Sequence, residues 1–99
     1  MNIITAEELK TKINNNDDIQ IIDIREDYEF EDNNIGGINI PMENVLSSLE
    51  QIDTSKQVII CCRTGKRSAA MTHTIERKLN LDNIHSLEGG VFGYLGIEV

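Results

Sequence analysis

The chain has 99 residues, 39% of them apolar, and a formal net charge of −8, which suits one modest domain and argues against nucleic acid or an anionic membrane as partner. No apolar run is long enough to span a bilayer, and the amino terminus lacks a basic segment followed by an apolar stretch. The expectation is a soluble cytoplasmic protein with a single domain over residues 1–99.

Thr5 with Glu8 forms a capping-box pattern and predicts a short helix over 6–13, with Leu9 and Ile13 on one face. Residues 19–24 read as a strand, apolar enough to be covered on both sides. Residues 26–32 read as a short acidic helix or turn. Gly36 and Gly37 mark a loop, and residues 38–40 a short strand stopped by Pro41. Residues 43–49 look helical. Residues 58–61 form a second buried strand, and Ser68 opens a helix to Leu79 with Met71 and Ile75 at helical spacing. A last strand over 84–87 leads through Glu88-Gly89-Gly90 into a short final helix over 92–95. Strands alternating with helices predict an α/β fold, with a central parallel sheet and helices on both faces. Ligands of such sheets bind at the carboxyl ends of the strands.

The segment between the second buried strand and the following helix sits at such an end. It carries both cysteines, Cys61 and Cys62, and three of the nine Lys and Arg residues: Arg63, Lys66 and Arg67. Neighbouring cysteines would close a small strained ring, so reduced thiols in a reducing compartment fit better than a disulfide. A thiolate is the nucleophilic form of cysteine, and cations or a helix N-terminus lower a thiol pKa from about 8.5 to roughly 3.5–7.5. Gly65 lets successive backbone amides curl toward one spot. The result is an anion cradle with sulfur at its base. The simpler reading is a buried cysteine pair ending a strand, with cations on a solvated helix face.

The run Cys62-Arg63-Thr64-Gly65-Lys66-Arg67-Ser68 resembles the active-site loop of the rhodanese-like sulfurtransferases, whose pattern is Cys-x-x-Gly-x-Arg-Ser. Asp23-Ile24-Arg25, Gly37-Ile38-Asn39-Ile40-Pro41 and Leu87-Glu88-Gly89-Gly90 resemble further segments of that family, in its order. The chain departs from the pattern at Asn33 or Asn34, where the family usually has a His and the spacing is one residue shorter. It departs again at Tyr94, where the family often has Trp, and at Cys61, where an aromatic residue is common. The resemblance implies a rhodanese-like fold and a persulfide on Cys62. The sulfane sulfur would come from a small anionic donor such as thiosulfate and pass to cyanide or a thiol, or to a sulfur-relay protein. Arg63, Thr64, Gly65, Lys66, Arg67 and Ser68 would bind the donor, with no metal and no organic cofactor. Asp23 and Arg25 read as structural, with Arg25 paired to Glu29 or another acid.

Two other readings stay open. Counted from Cys61, five residues precede Arg67-Ser68, which is the spacing of cysteine-dependent phosphatases and arsenate reductases. The position of Gly65 and the run of the strand into Cys61 favour Cys62 as the base of the loop. The domain could also be a non-catalytic carrier or docking module. Cys61 itself reads as a core thiol or as a group that resolves the persulfide. His73 and His85 lack metal-ligand spacing with the cysteines.

Overall fold

The computed structural model describes residues 2–98. Its elements are β1 (Asn2–Ile4), α1 (Ala6–Asn14), β2 (Ile19–Asp23), α2 (Asp27–Asp32), β3 (Ile38–Asn39), α3 (Met42–Val45), a 3-10 turn (Leu49–Gln51), β4 (Gln57–Cys61), α4 (Lys66–Leu79), β5 (Ile84–Leu87) and α5 (Gly90–Leu95). The strands make one sheet in the order β1-β5-β4-β2-β3, with every pairing parallel. This is the expected α/β class with a central parallel sheet.

Strand alternation divides the core into two layers. Ile22, Ile60, Cys62 and Ile84 pack with Val45 of α3 and with Met71, Ile75 and Leu79 of α4. Ile21, Ile59, Cys61 and Leu87 pack on the other side with Leu9 of α1 and with Val91 and Tyr94 of α5. Helices therefore cover both faces. The central strand β4 is buried along Val58–Cys61, as expected of a strand flanked on both edges and covered on both sides.

The capping box forms as its residues predict: the Glu8 amide donates to the Thr5 hydroxyl at 3.1 Å, and the Thr5 amide donates to the Glu8 carboxylate at 3.0 Å. Four elements differ from expectation, one of them the final helix, which starts at Gly90 instead of 92. The strand β1 is unanticipated because three residues carry no alternation to read; its order comes from parallel pairing of Ile3 with Ser86 and Ile4 with Leu87. The helix expected over 43–49 divides into α3 and the 3-10 turn. Helix α4 starts two residues early, at Lys66, because Gly65 at φ +106° is its N-cap and turns the chain directly into the helix. At its other end, Arg77 and Lys78 in the last turn complement the helix dipole.

Candidate functional site

The carboxyl end of β4 lies between the ends of β5 and β2, so the loop that leaves it stands at the middle of the sheet edge. The two cysteines part there. Cys61 is the last residue of β4 and enters the core layer beneath α1 and α5. Cys62 follows and enters the layer beneath α3 and α4. Both are free thiols, fully or nearly fully buried. Burial pushes the Cys61 thiol well above its ordinary range, and the nearby Asp23 carboxylate adds to the effect.

The loop closes around Cys62. The amide of Gly65 donates to its Sγ at 3.2 Å, and the amide of Ser68 does so at 3.3 Å. Among the described residues no such pair of amides reaches Cys61. Two contacts fix the loop from behind. The amides of Val91 and Phe92, at the start of α5, donate to the carbonyls of Cys62 and Arg63 at 2.8 and 3.1 Å. These bonds hold the first two residues of the loop against the start of α5. A side chain at Gly90 would sit 2.5 Å from both carbonyl oxygens, and its φ of +63° suits glycine as well. Ser68 adds a side-chain anchor: its hydroxyl donates to the Gly65 carbonyl at 3.1 Å and shares a 2.8 Å hydrogen bond with the Ser86 hydroxyl of β5.

The three loop cations have different surroundings. Arg63 is exposed and lies over the Phe92 ring, 4.6 Å from its centroid. Arg67 stands 4.0 Å from the Glu29 carboxylate of α2. Lys66 is exposed and makes no ion pair among the described residues. Thr64 is exposed at the outer edge of the loop. The structure thus brings Cys62 through Ser68 into one turn. Main-chain amides, not the cations, touch the sulfur.

Asp23 and Arg25 lie behind the loop, 0% and 1% exposed. The Arg25 guanidinium donates to both Asp23 oxygens, at 2.8 to 3.1 Å. It also donates to the Asn33 carbonyl at 2.6 Å and to the Asn33 side chain at 3.1 Å. Burial works against the Arg25 charge, but the hydrogen bonds and charge of Asp23 outweigh it and raise its pKa. The acid that Arg25 pairs with is therefore Asp23. Asn33, one of the two asparagines at the departure from the pattern, supplies two further acceptors. Sequence reasoning missed Asn33 and Ser86 as partners because neither contact is local in the chain.

His73 is exposed on α4, and the His85 ring lies 3.4 Å from the Gln57 amide. No cluster of three or more His, Cys, Asp or Glu side chains suited to a metal occurs among the described residues. Nor is any helix among them long and apolar enough to cross a membrane.

The profile of the rhodanese-like domain matches residues 5–96. The chain is 38% identical over 72 residues to the Bacillus subtilis protein YqhL, named as uncharacterized; the match covers 72% of this chain and 56% of YqhL. It is 30% identical over 95 residues to YtwF of the same organism, whose name carries a provisional sulfurtransferase assignment; that match covers 94% of this chain and 89% of YtwF. A rhodanese-like domain protein from Staphylococcus aureus superposes with a TM-score of 0.86 at 30% identity, covering 100% of this chain and 98% of the other.

Proposed function

The chain belongs to the rhodanese-like domain family, and from that premise we propose that it is a sulfurtransferase that carries sulfane sulfur as a persulfide on Cys62. The single observation behind this reading is the convergence of the Gly65 and Ser68 amides on Sγ. Donors fixed by the fold stabilise a sulfur anion without reorganising, which is how such cradles assist reactions that build negative charge. The unit is the domain of residues 1–99, and its substrate-binding residues are Arg63, Thr64, Gly65, Lys66, Arg67 and Ser68.

The first half-reaction takes the outer sulfur of thiosulfate. The Cys62 thiolate attacks that sulfur, its bond to the sulfonate sulfur breaks, and sulfite leaves with the bonding pair. The product is a Cys62 persulfide anion. Arg63, Lys66 and Arg67 supply positive charge around the doubly charged donor. In the second half-reaction cyanide or a thiol attacks the outer sulfur and returns Cys62 as thiolate. A persulfide on another small molecule or on a relay protein would load Cys62 by the same displacement. Cys62 is 1% exposed, which favours a donor that presents a small terminal sulfur.

The phosphatase or arsenate reductase reading needs Cys61 at the base of the loop. Cys61 lies in the opposite core layer, away from the amides, with its thiol pushed up by burial. Both features disfavour Cys61 as nucleophile.

The test is the intact mass of the reduced protein after incubation with thiosulfate, with peptide mapping. We expect a gain of one sulfur atom on Cys62 that cyanide removes. Cys62→Ser should take up none, and Cys61→Ser should keep most of the uptake. A gain that follows Cys61, or no gain by folded protein, would overturn the reading.

A further inference from the structure

A cleft of about 260 Å³ opens beside the loop, between the start of α4 and the edge strand β1. It exists because α4 packs over β4 and β5, leaving β1 outside its cover. Ile3 of β1, the register partner of Ser86, is consequently 54% exposed. Ile3 and Ser86 of the sheet, Thr64 and Gly65 of the loop, and the charged residues Lys66 and Glu88 line it. The volume lies below the roughly 300–1,000 Å³ of pockets for drug-sized ligands, so the occupant is small.

The charges are the informative part. Lys66 and Glu88 line the same cleft with opposite signs. Neither side chain makes an ion pair or hydrogen bond among the described residues. The doubly negative sulfur donor would meet repulsion from Glu88 here. A molecule with both an ammonium and a carboxylate satisfies both groups. Gly65 ties this cleft to the chemistry, since it lines the cleft and its amide also touches Cys62 Sγ at 3.2 Å.

Resting on the sulfurtransferase reading, we propose that this cleft binds the sulfur acceptor, and that the acceptor is a small zwitterionic thiol of the α-amino-acid class. Its carboxylate pairs with Lys66 at the positive start of α4, and its ammonium pairs with Glu88. Its sulfur then reaches over the Thr64–Gly65 edge. The acceptor sulfur attacks the outer sulfur of the Cys62 persulfide, a new S–S bond forms, and the bond to Cys62 Sγ breaks. Cys62 leaves as thiolate, and the proton brought in by the acceptor thiol departs on the new small persulfide. Nothing is oxidised or reduced overall.

The experiment compares four acceptors with thiosulfate as donor: cysteine, cysteamine (no carboxylate), 3-mercaptopropionate (no ammonium) and 2-mercaptoethanol (neither). Rates are expressed as kcat/KM per thiolate. An exposed charge pair contributes about fivefold at most, so cysteine should exceed 2-mercaptoethanol by about tenfold, with the singly charged thiols between. Glu88→Gln should lower the ratio of cysteine to 2-mercaptoethanol by about three- to fivefold. It should not lower the ratio of 3-mercaptopropionate to 2-mercaptoethanol. Lys66→Gln should remove the carboxylate advantage instead. Equal use of all four thiols, or a Glu88→Gln variant that lowers all four alike, would overturn the cleft assignment. Loading of Cys62 by thiosulfate, read by mass before any acceptor is added, separates the two claims. Loading without thiol selectivity removes only the cleft assignment, whereas absence of loading removes both.

Discussion

Arg25 heads the fully buried side chains by size, and it is charged. A buried charge is tolerated when it is paired and its hydrogen-bonding groups are met. Asp23 supplies the countercharge and Asn33 the remaining acceptors, while the Asn39 amide bridges the carbonyls of Asp23 and Arg25 at 2.9 Å each. Arg25→Ala should destabilise the protein by about 3–5 kcal/mol, because Asp23 would stay buried without a partner. A denaturant midpoint measures this, and a loss under about 1 kcal/mol would show that Asp23 is relieved by water or protonation. The Asp23-Ile24-Arg25 segment was legible through the family pattern, and its structural role follows from its place at the end of β2. The pairing within the segment was not legible, since residues two apart at a strand end meet only when the chain turns. Cys62 was legible for a plainer reason. Its spacing to Gly65 and Ser68 is local, and both groups lie within one turn.

At the scale of elements, the loop depends on α5 as much as on α4. The Gly89-Gly90 turn aims two amides at the carbonyls of Cys62 and Arg63, and those bonds orient the cradle. Gly90→Ala places a methyl group 2.5 Å from both oxygens and adds the cost of a left-handed backbone, about 1–2 kcal/mol. We expect at least a tenfold fall in sulfur loading while circular dichroism still reports a folded chain. Gly93→Ala is the control, because a methyl group there meets nothing within 4 Å inside the same helix, and it should stabilise by about 0.5–1 kcal/mol. Equal loading by the two variants would show that α5 does not orient the loop. The Gly-Gly turn stood out in the sequence, but its target did not, because that contact joins segments far apart in the chain. The strand β1 and the split of the 43–49 helix were hidden for another reason. Three residues, or four, are too few for periodicity to speak, and tertiary pairing decides their form.

For the molecule as a whole, the alternation of strands and helices was enough to read the fold class. The strand order was not, since alternation does not say which neighbour a strand takes. Two titrating groups on that sheet, the half-buried His85 and the buried Cys61, bound the pH range of stability. Burial lowers the His85 pKa, so the folded state resists protonation there. The unfolded chain then binds more protons below about pH 6.5, and stability should fall as pH drops through that region. Burial raises the Cys61 pKa, so the folded state resists losing that proton. Stability should therefore also fall as pH rises past about 8.5, where the unfolded thiol ionises. Urea midpoints from pH 5 to 10 should trace a plateau with two falling limbs. Cys61→Ser should flatten the alkaline limb; an unchanged limb would assign it to another group.

The opposed facing of the two cysteines has a consequence for oxidative damage. A peroxide that reaches Cys62 oxidises its sulfur to a sulfenic acid, which a nearby thiol ordinarily rescues as a disulfide. Cys61 is the other cysteine in the chain, and it lies across the sheet in the other core layer. Cys61 therefore does not face Cys62 as a resolving thiol. Repair of an oxidised Cys62 then falls to a thiol other than its neighbour, such as the kind of molecule that would carry its sulfur away.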